Sequence, residues 1–86
     1  MLPLHYAARN GADELVIRLL LEAYRDAARV LSFSSRLPLH WGAEGQLEPA
    51  ALKLLIDAYP QALELEDAYR CKPRDLAHSS VKSMLK

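Results

Sequence analysis

Leu2-Pro3-Leu4-His5 returns as Leu37-Pro38-Leu39-His40, an interval of 35 residues with nothing gapped. The same interval pairs Ala8 with Ala43, Leu19-Leu20 with Leu54-Leu55, Ala23-Tyr24 with Ala58-Tyr59, and Ala27 with Ala62. Ile17 and Leu52, Arg18 and Lys53, Leu21 and Ile56, and Glu22 and Asp57 agree in chemistry. A third step lands on Lys72-Pro73-Arg74-Asp75-Leu76-Ala77, which keeps the proline and the alanine and little else. Self-similarity at a fixed period is the mark of a repeat architecture, in which each unit covers the apolar face of its neighbour.

Each copy reads as two helices. Pro3, Pro38 and Pro73 suit a first helical position, where a fixed φ helps and the missing N–H is no loss. The first helix is short, because Asn10-Gly11 and Gly45 bring turn residues only about two helical turns later. A longer helix follows, capped at Asp13 in copy one and at Glu48, before Pro49, in copy two. Leu52, Leu55, Ile56 and Tyr59 recur beneath it at helical spacing, as do Val16, Ile17, Leu19, Leu20, Ala23 and Tyr24. Pro60 ends the second of these helices. The stretches Arg29 to Arg36 and Glu64 to Cys71 read as exposed, hairpin-like connections.

A two-helix unit opened in this way resembles the ankyrin repeat, whose signature is T-P-L-H-x-A at a period of 33. The matching segments are LPLHYA at Leu2 to Ala7, LPLHWG at Leu37 to Gly42 and, more weakly, KPRDLA at Lys72 to Ala77. The resemblance implies an all-α solenoid of helix-turn-helix units: one domain over residues 1–86, with repeats at 2–36 and 37–71 and a partial repeat at 72–86. Leucine stands in place of the usual threonine at 2 and 37. The two extra residues of the period fall in the loop after Gly11 and at the end of the second helix. Ser32 and Ser35, then Asp67 and Arg70, occupy the connection positions where the family has Asp and Gly, and a non-glycine residue there strains the turn or changes its shape.

Composition narrows the function. Eleven Lys and Arg balance eleven Asp and Glu, so there is no net field to draw in nucleic acid or an anionic membrane. The apolar run Leu19 to Leu21 is far short of the roughly 20 residues that span a bilayer, and the N-terminus lacks the order of a signal peptide. Cys71 is the single cysteine, with no partner for a disulfide and no CxxC or CxxH spacing for zinc. An intracellular, cytoplasmic place is the expectation.

His5 and His40, one interval apart, could suggest a metal ligand pair or a general base. Their place in the motif favours structure. With Pro3, Pro38, Pro73 and Asp75, which takes the histidine position in the third copy, they form the structural set, and neither a cofactor nor a metal is expected. The six serines lie outside any G-x-S-x-G elbow, so no catalytic residue is assigned. Tyr6, Tyr24, Trp41 and Tyr59 follow the period and read mainly as core between repeats.

Binding is expected where the period leaves residues free. The resemblance places partner contacts at the connection tips and on the concave face of the short helices. These positions are Phe33, Ser34 and Arg36, then Ala68, Tyr69 and Cys71, and finally Arg9, Asn10 and Glu44. Exposed aromatics and arginines commonly carry binding energy, which puts Phe33, Arg36 and Tyr69 first. The leading expectation is a protein–protein interaction scaffold without catalysis. A purely architectural segment or cap of a longer array is the alternative, and a His-dependent hydrolase or metal-binding protein a remote one. The N-terminal face carries no polar cap, which leaves it open to further repeats or to self-association.

Overall fold

Three prolines open three helices in a computed structural model that describes residues 2–45, 47–77 and 85. Helix α1 runs Pro3–Arg9, α3 Pro38–Glu44 and α5 Pro73–Leu76. The residue before each proline is extended, at φ −77° ψ 160° for Leu2, −83° and 163° for Leu37, and −83° and 162° for Lys72. Steric conflict with the proline ring drives that residue out of the helical region, so the chain enters all three helices from the same direction. A longer helix follows each of the first two, α2 at Glu14–Ala23 and α4 at Pro49–Ala58. Asp13 and Glu48 occupy the cap positions read from the sequence, but neither side chain makes a capping hydrogen bond. Their charges still complement the positive end of the helix dipole.

Both long helices end on a tyrosine in nearly the same conformation, φ −153° ψ 87° at Tyr24 and φ −151° ψ 82° at Tyr59. A 3-10 turn follows each, at Arg25–Arg29 and Pro60–Glu64. The connections differ from a hairpin of strands: no described residue is in a strand, and the first tip is a short 3-10 turn at Phe33–Ser35. Each tip is closed by a pair of backbone bonds, Ser32 N–H to Arg36 C=O (2.8 Å) and Arg36 N–H to Phe33 C=O (3.3 Å) in one. Asp67 N–H to Cys71 C=O (2.9 Å) and Arg70 N–H to Asp67 C=O (3.0 Å) close the other. Ser34, Ser35 and Arg70 hold φ of 60°, 55° and 62°, a left-handed conformation that is uncommon outside glycine. The strain foreseen at Ser35 and Arg70 is therefore present, and it extends to Ser34.

Packing follows the sequence interval. Helix α1 lies against α3 and α3 against α5, while α2 lies against α4. The 3-10 turn Arg25–Arg29 packs onto both helices of the second copy, α3 and α4. Leu4, Ile17, Leu37, Leu39, Leu47, Leu52, Leu55 and Leu85 fill the core. Ala8, Ala43, Ala51 and Ala62 are buried among them and let the backbones close up. Of the last ten residues of the partial third repeat, 77–86, only Ala77 and Leu85 are described, and both are buried.

Two aromatic positions depart from the sequence reading. Trp41 and Tyr59 are half-buried, whereas Tyr6 and Tyr24, their counterparts one interval earlier, are 46% and 52% exposed. The first copy covers the aromatics of the second, and no described element covers those of the first.

Gly45, just past the end of α3, lies tight against the end of α1, where an added Cβ would collide with the carbonyl of Arg9. The obstacle is backbone and cannot swing aside, so Gly45→Ala is expected to cost about 2 kcal/mol. Urea denaturation of the two chains measures the loss, and equal midpoints would refute the close approach.

Candidate protein-binding site

The tips sit on a frame whose anchors are the two motif histidines. His5 Nδ1 accepts the Leu2 N–H that opens its own helix (3.0 Å), and Nε2–H donates to the Val30 carbonyl (2.8 Å). His40 does the same one interval later, accepting from Leu37 N–H (3.1 Å) and donating to Leu65 C=O (3.0 Å) and Cys71 C=O (3.1 Å). An amide N–H can only donate and a carbonyl can only accept, so these partners dictate a neutral ring with its proton on Nε2. Asp75 replaces the histidine in the third copy and keeps half of the arrangement, accepting Lys72 N–H at 2.9 Å. Both rings are fully buried and have no nitrogen free for a substrate or a metal. Among the described residues, no three His, Cys, Asp or Glu side chains lie close enough to hold a metal ion.

Asp67 organises the second tip. Its Oδ1 accepts Tyr69 N–H (2.8 Å) and Cys71 N–H (3.0 Å), and its Oδ2 accepts Arg36 Nε–H from the first tip (2.9 Å). Arg36 Nη1 reaches Glu44 at 2.6 Å, and the guanidinium lies 4.8 Å from the centre of the Trp41 ring. Arg9 approaches the same ring at 5.7 Å, close enough for a cation–π attraction from each side chain. Trp41 Nε1–H donates to Ser32 Oγ, which in turn donates to Arg36 C=O at 2.9 Å. A backbone bond from Ala68 N–H to Ser34 C=O (2.7 Å) ties one tip to the next.

This arrangement sorts the residues singled out in the sequence. Phe33 and Tyr69 project freely, 70% and 71% exposed. Arg9, Asn10, Glu44 and Ala68 are exposed as well, and Ser34 and Cys71 are half-buried. Arg36 is not the free arginine that its sequence position suggested: its side chain is 12% exposed and held by two carboxylates. Arg9, Trp41, Arg36 and Glu44 come together beside the tips. Asp67, Trp41 and Ser32 hold the site and were not among the sequence candidates. The signal for Asp67 was the carboxylate standing where the first connection has Ser32, since Asp hydrogen-bonds N–H groups just ahead of it in turns.

Burial alone would raise the Asp67 carboxyl, but the N–H groups of Cys71 and Tyr69 and the Arg36 guanidinium outweigh it and hold it below its ordinary 3.8. Burial alone would lower Arg36, and Asp67 and Glu44 outweigh it to push that group up. For His5 and His40 burial prevails over the carbonyl bonds and lowers both below 6.5.

Residues 1–29 match the family model for the ankyrin repeat. The first third of the chain is thus similar to an ankyrin repeat, in an all-helical setting, and its proline–histidine motif and the histidine bonds recur one interval later. No curated protein and no solved structure matches the chain. No described helix is long and apolar enough to cross a membrane.

Two outcomes follow for this frame. Because both folded-state histidines titrate below their unfolded value, the unfolded chain binds protons first on acidification, and stability falls as pH drops below 6.5. Asp67 adds a second loss below 3.8. Urea midpoints across this range, with nitrogen shifts of the two rings assigned by NMR, test the claim; protonated Nδ1 at neutral pH would contradict it. Asp67→Asn turns an NH2 group or an uncharged oxygen toward Arg36, which keeps Glu44 as its one carboxylate partner, at an expected cost of about 2 kcal/mol for the lost charge-assisted bond, measured by the same denaturation.

Proposed function

We propose that this chain is a protein-interaction module, a short helical solenoid that binds another protein through its connection tips and the adjoining concave face, with no chemistry of its own. The observation that carries the reading is the pair Phe33 and Tyr69. Large aromatic side chains that are about 70% exposed gain much from covering and have little to do in the isolated fold. They stand on tips whose backbones are already fixed by the Asp67, Arg36 and Ala68 bonds, so a partner would meet a surface ordered in advance and lose little affinity to ordering it.

Arg9, Asn10 and Glu44 extend this surface along the short helices, while Ser34, Ala68 and Cys71 supply its backbone. Arg36 contributes by positioning: it sets the spacing of the two tips and holds the Trp41 ring. The ankyrin repeat at residues 1–29 supports the same reading, since repeats of this family generally bind proteins. The cellular setting consistent with a single cysteine and a balanced charge is the cytoplasm.

Phe33→Ala combined with Tyr69→Ala is expected to leave the urea midpoint nearly unchanged, because exposed side chains away from special features shift stability by no more than about 0.5 kcal/mol. Interaction proteomics with immobilised wild-type and doubly substituted chains is the test. Specific partners captured by the wild type should weaken at least about tenfold with the variant, each large anchor being worth upward of about 1 kcal/mol. An identical set of partners at identical strength would remove the tips from the binding surface and favour a purely architectural role.

A further inference from the structure

The chain has serines at 32, 34, 35, 79, 80 and 83 and no threonine. Only Ser32 has an arginine three residues ahead of it, in Arg29-Val30-Leu31-Ser32-Phe33. A basic residue at that distance, with an apolar residue directly after the serine, is a charge pattern that one class of protein kinase selects. The run also has the extended shape that a kinase cleft takes. Val30 (φ −81°, ψ 129°) and Ser32 (φ −105°, ψ −158°) are both extended. Leu31 and Phe33 are 57% and 70% exposed, and Arg29 is exposed although its guanidinium lies 5.1 Å from the centre of the Tyr59 ring.

Ser32 is half-buried and holds the first tip together. Its Oγ accepts Trp41 Nε1–H and donates to the Arg36 carbonyl at 2.9 Å. The Arg36 guanidinium lies 4.8 Å from the centre of the same indole, so hydroxyl, ring and cation are one connected group. Asp67 and Glu44 already share that cation. A phosphate ester on Oγ has no proton left for the Arg36 carbonyl and adds about −1.5 to −2 charges at pH 7. It offers a guanidinium fork what a carboxylate offers, and it repels the two carboxylates in place. Reaching the hydroxyl requires the tip to open. Ser34 and Ser35, at φ of 60° and 55°, store strain in the closed tip that opening releases.

We propose that Ser32 is a phosphorylation site for a kinase that selects arginine three residues upstream, and that the phosphate draws Arg36 off Asp67 and loosens the two tips from each other. The γ-phosphoryl group of ATP passes to Oγ: the new O–P bond replaces the bond to ADP, and the hydroxyl proton goes to the base of the kinase. Asp67 keeps its bonds to Tyr69 N–H and Cys71 N–H, so the second tip retains its own shape. The backbone bond from Ala68 N–H to Ser34 C=O is then left to tie the tips without the ion pair. Neither the site nor the loosening depends on a partner. Only the further consequence, that Phe33 and Tyr69 lose their fixed spacing and grip less well, rests on the binding role proposed above.

The test incubates the 86-residue chain with MgATP and activated calmodulin-dependent protein kinase II, which selects arginine at that distance. Mass spectrometry should place one phosphate on Ser32, and Arg29→Gln should slow its incorporation at least about tenfold, the effect of one lost charge-assisted contact. Because only the tip has to open, Gly45→Ala should leave the rate unchanged although it raises the unfolded fraction. Phosphorylation should raise the unfolding constant in urea at least about tenfold and change the fluorescence of Trp41, the single tryptophan. The Asp67 carboxyl, followed by NMR, should titrate higher, since Arg36 helps to hold it below 3.8. Ser32→Ala removes both hydroxyl bonds without adding charge and should leave Asp67 where it is. High salt should shrink the effect of the phosphate, which is one of charge. No phosphate on Ser32, or a rate that rises with the unfolded fraction, would overturn the proposal. So would a Ser32 phosphate that leaves the Asp67 and Trp41 signals in place, or Ser32→Ala reproducing the Asp67 shift, which would assign it to the lost hydroxyl.

Discussion

A single imidazole in each of the first two repeats joins the start of a helix to a chain segment 25 residues ahead of it, and the rest of the structure is arranged around that bond. The ring performs two tasks that usually fall to different groups. Its Nδ1 takes the N–H exposed by the proline-opened helix, and its Nε2–H takes the carbonyl of the connection that follows the long helix. Leucine at 2 and 37 cannot supply the hydroxyl that a threonine would offer to the N–H groups of the first turn, and the histidine three residues on satisfies a different one, the N–H of the leucine itself. Burial makes the arrangement stringent, since a charged ring would present a proton to a backbone N–H that has no lone pair to offer.

The constraint explains why the repeat was legible and why its edges were not. Proline recurs in all three copies, and histidine and the small helix residues in the first two, at 35 residues; together they disclose the paired helices and their starts, while the tyrosine stops came only from the structure. Connection geometry depends on residues that differ between copies. Ser32 and Asp67 occupy equivalent positions, yet one receives a tryptophan N–H and the other receives two backbone N–H groups and a guanidinium. No period could reveal that Arg36 would cross to the following tip, because its own counterpart is Cys71. The same limit applies to Tyr6 and Tyr24. A periodic aromatic is core only where a neighbour exists to cover it, and sequence similarity between copies does not report which copy stands at the uncovered end of the described stack.

Arg36 shows how a surface position becomes structural without becoming apolar. Its guanidinium is shared between a buried carboxylate, an exposed one and an indole face, three partners drawn from separate parts of the chain. A lysine could meet one of them as a point charge but lacks the planar fork and the stacking face. The cost of placing a cation against Asp67 is offset because the carboxylate is also bonded by two amides, which leaves little of either charge unsatisfied.

The division of labour that follows bears on how such a surface can diversify. Tip shape rests on backbone bonds, on Asp67 and on Arg36, while the Phe33 and Tyr69 side chains take no part in those bonds and stand mostly in solvent. On the binding role proposed for the tips, exchanging either aromatic would alter what they grip with little effect on folding, whereas exchanging Asp67 or Arg36 would alter both. That reading gives specificity and stability to neighbouring residues with separate duties. A scaffold built in this way would change partners through side chains that its own fold does not use.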